Sequence, residues 1–122
     1  MAGLGDTFRL ADSKDAVAHL WIIITDPQKN DGDVLAVNLT TLRDHTEDES
    51  CVLDKGDHPF IRHKTAVNYG DARRWRISKI NQALEEGKLL MDRPVTPGVL
   101  RKILKGAKES KFLREHSKRL LP

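Results

Sequence analysis

One cysteine, Cys51, stands in a chain of 122 residues. A lone thiol makes no intramolecular disulfide, so a cystine-stapled scaffold is excluded and a reducing compartment is expected. Long apolar runs are missing too. The longest, Leu20 to Ile24, falls far short of the roughly 20 residues that a bilayer-crossing helix needs. The opening Met1-Ala-Gly-Leu-Gly-Asp6 has neither the basic start nor the apolar stretch of a signal peptide. A cytoplasmic protein with no membrane segment is therefore expected. Aromatics are few, at 5%. There is no Gly-rich phosphate loop and no Gly-x-Ser-x-Gly elbow. Cys51, His58 and His63 fit none of the zinc-ligand spacings. These absences argue against an NTPase, a Rossmann enzyme and a serine hydrolase, and no metal or cofactor is expected.

Charge, by contrast, is plentiful: 32% of residues are Asp, Glu, Lys or Arg, the net charge is +3 and the mean hydropathy is −0.51. It is unevenly spread. Residues 1–61 hold 5 Lys+Arg against 12 Asp+Glu, a charge of −7, while residues 62–122 hold 16 against 6, a charge of +10. Such asymmetry favours a polyanionic partner, either nucleic acid or an acidic protein. The plain alternative is that the basic residues are only the wet faces of helices. The length fits one domain, 1–122, that buries roughly two thirds of its unfolded surface.

The first half reads as β-structure. His19-Leu-Trp-Ile-Ile-Ile-Thr25 is a continuous β-branched run ended by Asp26-Pro27. A polar turn, residues 28–33, leads into a second strand, Val34 to Thr40, so the pair predicts an antiparallel hairpin. The acidic stretch 44–50 predicts an exposed loop. Short strands are expected at 50–53, 65–69 and 72–77, and strands at this spacing predict a small barrel or curled sheet. The second half reads as helical. Ile77, Ile80, Ala83 and Leu84 recur at helical spacing before Gly87. Thr96-Pro97 opens a helix as N-cap and first turn, with Val99, Leu100, Ile103, Leu104 and Ala107 on one face. Ser110 is expected to cap a last short helix. The fold class is α+β: a small SH3-like curled antiparallel β-barrel (residues 5–77) with C-terminal helices (78–121).

The richest stretch chemically is Gly56-Asp-His-Pro-Phe-Ile-Arg-His-Lys-Thr65. Histidine exchanges protons near neutral pH, and Arg and Lys hold phosphate and stabilise charge building on it. RNA carries its own nucleophile, the 2′-hydroxyl. A nuclease that uses it needs a base, an acid and a cationic clamp. His58, Arg62 and Lys64, with Thr40, Thr41 and Arg43 at the end of the second strand, are candidates for those parts. The structural alternative is a loop in which His58 caps a turn fixed by Pro59. His19, opening the buried strand, either faces a cleft at the sheet's rim or ends in solvent. Trp75 is interleaved with Arg73, Arg74 and Arg76. Either it belongs to a single-strand-binding surface, or it faces the core while Arg74 and Arg76 face water.

In order, these elements resemble the PemK/MazF-like toxins of bacterial toxin–antitoxin systems. The matching parts are Leu20-Trp-Ile-Ile-Ile-Thr-Asp-Pro27, the strand end Val37-Asn-Leu-Thr-Thr41, and the stretch Cys51 to Tyr69 with His63-Lys-Thr-Ala-Val-Asn-Tyr. Leu89 to Leu104 resembles the family's terminal helix, and Gly5-Asp6-Thr7-Phe8 its opening strand. The resemblance implies an SH3-like barrel, usually dimeric, that cleaves single-stranded RNA without a metal and is neutralised by an antitoxin protein. It implies catalytic roles at Thr40 or Thr41 and at position 19, where these toxins carry Arg and this chain has His19. Either His19 takes the acid/base role with Arg62 or Lys64 on the phosphate, or the chain keeps the fold without the activity. Catalysis is thus expected at His19, Thr40 and His58, and RNA binding at Thr41, Arg43, Arg62, Lys64, Arg74 and Arg76. The alternatives are a non-catalytic RNA- or protein-binding module of the same fold, and a structural subunit whose basic helix, Thr96 to Ala107, docks an acidic partner.

Overall fold

The computed structural model describes residues 1–10 and 18–122. Its centre is one antiparallel sheet of six strands in the order β4-β5-β3-β2-β1-β6. β2 (His19–Ile23) and β3 (Asp33–Thr41) form the expected hairpin. β2 ends two residues earlier than its sequence suggests. The ladder nevertheless continues: Ile24 N donates to Leu35 O at 2.9 Å, and Leu35 N donates to Thr25 Oγ1 at 2.8 Å. The threonine hydroxyl thus stands in for a backbone carbonyl just before Pro27. The turn closes through Asp31 (φ 55°) and Gly32 (φ 84°), both left-handed, as a tight reversal requires.

β1 (Thr7–Leu10) lies beside β2, and the short β4 (Val52–Leu53) lies beside β5. The two strands expected at 65–69 and 72–77 are one, β5 (Thr65–Arg76), and Ile77 already belongs to the following helix. Gly70-Asp71, the break between the two expected strands, belongs to a bulge instead. Asn38 pairs with Asn68 and Ala36 with Arg73, so a two-residue step on β3 faces a five-residue step on β5. Bulges bend and twist the bulged strand, and this one helps curl the sheet into a half-barrel. β6 (Leu90–Asp92) is a second departure. Its residues fall in the stretch read as a terminal helix, but pairing with β1 makes them strand, because tertiary context overrides weak local preference.

Alternation along β2 and β3 divides the apolar side chains between two faces. Leu20, Ile22, Ile24, Leu35, Val37 and Leu39 meet Val99, Ile103 and Ala107 of α2 (Pro97–Glu109) on one face. Phe8, Trp21, Ile23, Val34 and Ala36 meet Ile80 of α1 (Ile77–Glu85) on the other. Trp75 packs edge-on against Trp21, with ring centroids 5.1 Å apart, so it joins the second cluster. α2 starts as expected: Val99 N donates to Thr96 Oγ1 at 3.3 Å with Pro97 in the first turn. α1 ends at the expected glycine. Gly87 (φ 74°) lets Lys88 N reach Ala83 O and its own N–H reach Leu84 O. Ser110 corrects a third expectation. It closes α2, accepts from Phe112 N and Leu113 N, and donates to Asp48 Oδ2 at 2.6 Å. The last helix, α3 (Glu115–Lys118), begins only after Arg114.

No described helix is long and apolar enough to cross a membrane. The result is the α+β class expected, a curled antiparallel half-barrel with C-terminal helices.

Candidate functional site

The end of the β2–β3 hairpin opposite its turn builds the site. Trp21 pairs with Asn38, so a period of two puts His19 and Thr40 on the same side of the sheet. β3 runs on beyond the paired part of β2, and the chain before β5 folds over its end. Leu42 N donates to Lys64 O at 3.1 Å, and Thr65 Oγ1 donates to His63 O at 2.9 Å. Together these segments wall a cleft of about 370 Å³. Its lining includes His19, Thr40, Thr41, Arg43, Arg62 and His63, with Leu39, Phe60 and Ile61 as apolar floor. His19, Thr40, Arg43, Arg62 and His63 are exposed.

The candidates do not all gather there. His58 is buried and both ring nitrogens are engaged. Nδ1 accepts from Phe60 N at 3.0 Å, and Nε2 lies 2.7 Å from Arg93 O. With Nδ1 accepting, Nε2 carries the proton and donates. Neither nitrogen faces a substrate, so the ring pins the 58–61 turn to the segment after β6. That geometry corrects the expectation of a proton carrier at His58. Lys64 is exposed beside the cleft but does not line it.

Arg74 and Arg76 stand at the far end of β5, on Asp33. Arg74 donates to Asp33 Oδ2 at 2.9 and 2.7 Å, and Arg76 donates to Asp33 Oδ1 at 2.9 Å. Hydrogen bonds from Arg74 first, then Arg76, hold the Asp33 carboxyl below its ordinary value. A carboxylate whose folded pKa is lowered adds stability above its unfolded pKa and loses it as pH falls through the folded value. Asp33→Asn is therefore expected to reduce the fall in melting temperature between neutral pH and about pH 3. Thermal unfolding at both pH values checks this, and an unaltered fall contradicts it. The effect is small, because exposed ion pairs contribute little.

The cleft is not isolated. A second depression of about 320 Å³ shares Thr40, Thr41 and Arg43 with it and adds His45, Glu47, Asp48, Asn68, Gly70 and Phe112. A third, of about 280 Å³, shares Gly70 and Phe112 and adds Arg74, Arg114 and His116. The three form one chain of hollows from His19 to His116. Sequence reasoning missed Asn68, Phe112, Arg114 and His116, because only the fold brings the C-terminal turn beside the β5 bulge.

Cys51 is not a nucleophile here. It is buried, and burial pushes its thiol up. Tyr69 is also raised by burial, and its hydroxyl donates to Ile103 O at 2.6 Å inside the core. Asn38 is buried with Nδ2 on Asp71 Oδ2 at 2.9 Å, and its Oδ1 has no hydrogen-bond partner among the described residues.

No protein-family model and no curated protein matches the chain. A solved structure does. It is an endoribonuclease in complex with its cognate antitoxin, from a mycobacterial species. The TM-score is 0.54 at 21% identity, over 87% of this chain and 90% of that one. At that identity the likeness is one of fold.

Proposed function

We propose that the protein is an endoribonuclease toxin of a toxin–antitoxin pair, of the PemK/MazF-like kind, acting on single-stranded RNA without a metal. The observation that carries the reading is the convergence of His19, Thr40, Arg43 and Arg62 on one open cleft. In this reading the RNA 2′-hydroxyl attacks the adjacent phosphorus and the 5′-oxygen leaves. His19 takes the proton from the 2′-hydroxyl and passes it to the departing 5′-oxygen, the Thr40 hydroxyl orients the phosphate, and Arg43 and Arg62 stabilise its developing charge. The shared fold with an endoribonuclease bound to its antitoxin supports the reading, and an antitoxin protein is the proposed partner. A homodimer, a single domain and a cytoplasmic location belong to the same proposal.

One observation favours a second reading, the non-catalytic RNA-binding module: position 19, where PemK/MazF-like toxins carry Arg, is His in this chain.

Both readings require RNA affinity, and salt tests it. Each phosphate neutralised on a single strand contributes about −0.7 to the slope of log K against log salt. Contacts from Arg43, Arg62 and Arg114 thus give a slope of roughly −2. The measurement is titration of fluorescent single-stranded RNA at several salt concentrations. Absence of binding at low salt removes both readings and leaves an acidic protein partner.

A further inference from the structure

We infer that Phe112 is a base-stacking platform that gives the proposed RNA site a second, remote subsite. The inference rests on the RNA-cleaving or RNA-binding reading above and extends it along the groove.

The chain has six aromatic residues. Phe8, Trp21 and Tyr69 are buried, while Phe60 and Trp75 pack against the two apolar clusters. Phe112 belongs to neither cluster and is 44% exposed. One exposed aromatic needs no explanation by itself, but an aromatic in a groove that basic side chains also line is the arrangement a single strand uses. Phe112 lines both the second and the third depression, at the neck where they join.

Its position is fixed. Ser110 Oγ accepts from Phe112 N at 3.1 Å while donating to Asp48, so the turn after α2 is tied to the acidic loop. On the other side is the β5 bulge. A Cβ placed on Gly70 would lie 3.6 Å from Phe112 Cβ, which shows how closely the two backbones approach. Glycine there leaves the flank of the ring without a covering side chain.

The electrostatics suit a polyanion that passes over this ring. Arg43 and His45 lie on the side toward the reaction cleft, and Arg114 and His116 on the far side, where Arg74 is already held by Asp33. Two acids line the same path. Asp48 already accepts from Ser50 N, Ser50 Oγ and Ser110 Oγ, and Glu47 is exposed. Flanking cations with an aromatic face between them are what a single strand uses: phosphates on the cations and a base on the ring. Every base has a π-face, so the subsite adds affinity with little sequence preference.

The test compares a single-stranded RNA of about 10 nucleotides, enough to fill the groove, with a dinucleotide that occupies only the reaction cleft. Phe112→Ala is expected to lower the ratio of long-RNA to dinucleotide affinity by about 10-fold, and Phe112→Trp to preserve it. With 2-aminopurine along the strand, the quenching seen with the wild type and F112W is lost with F112A. Melting curves of the variants verify folding. The inference is overturned if F112A leaves the ratio and the quenching unaltered, or if F112W loses as much as F112A. If wild-type protein binds neither RNA, the functional reading fails and the subsite with it. If it binds both equally, the subsite alone fails.

Discussion

His19→Ala is expected to lower RNA cleavage by two to four orders of magnitude while leaving the fold intact. The range is what a positioned proton-transfer group contributes. The fold survives because His19 is the first residue of β2 and its side chain is exposed, in contrast to the buried Leu20–Ile23 behind it. Affinity for RNA changes little, since the phosphate clamp at Arg43 and Arg62 is untouched. The result appears in single-turnover rates at saturating enzyme, which separate chemistry from binding. Thr40→Val, an isosteric loss of the hydroxyl, is expected to act in the same direction on the rate. A fall of less than about tenfold in H19A contradicts the proton-transfer role.

The second large effect is on stability. Gly106→Ala is expected to lower the melting temperature by about 8 °C. Gly106 lies inside α2 against the loop before β4 and the Tyr69 hydroxyl. A Cβ there would fall 2.7 Å from Cys51 Cβ and 3.0 Å from Ser50 O, and would overlap the Tyr69 hydroxyl. None of these neighbours yields easily, because Tyr69 is anchored on Ile103 O and Ser50 contributes backbone. Overpacking of this kind costs about 1–3 kcal/mol or more, against a gain of about 1 kcal/mol in helix propensity. Three unyielding contacts put Gly106 at the upper end of that range, so the net loss is about 2 kcal/mol, or about 8 °C at roughly 4 °C per kcal/mol for a chain of this length. Gly98→Ala, in the first turn of the same helix, provides the contrast. Its Cβ would meet only the flexible Arg101 guanidinium at 3.8 Å, so a small gain in stability is expected. If both variants behave alike, close approach at Gly106 is not what the residue is for.

How much was legible follows from where each signal resides. β2 and β3 are written in β-branched runs bounded by Asp26-Pro27 and the Asp-Gly turn, so local chemistry and tertiary pairing agree there. α2 announces itself through Thr96-Pro97. β5 reads as two strands in sequence because Gly70-Asp71 carries turn chemistry, and only pairing with β3 turns it into a bulge. β6 has no local signal beyond an apolar triplet, since its strand character comes from β1.

The site divides in the same way. His19 and Thr40 share a cleft because one hairpin register brings them together, and the register follows from the apolar pattern. His58 looks alike in sequence whether it moves protons or pins a turn. The choice depends on Arg93 O, 35 residues away. The engagement of Arg74 by Asp33 spans 41 residues and was equally invisible.

Incubation of the purified protein with single-stranded RNA in excess chelator tests the central claim most directly. The predicted result is cleavage, with upstream fragments ending in a 2′,3′-cyclic phosphate, because attack by the 2′-oxygen with loss of the 5′-oxygen closes that ring. A matched strand with 2′-deoxy sugars throughout stays intact. Cleavage of the deoxy strand, or RNA left whole under conditions where it is bound, would contradict the account.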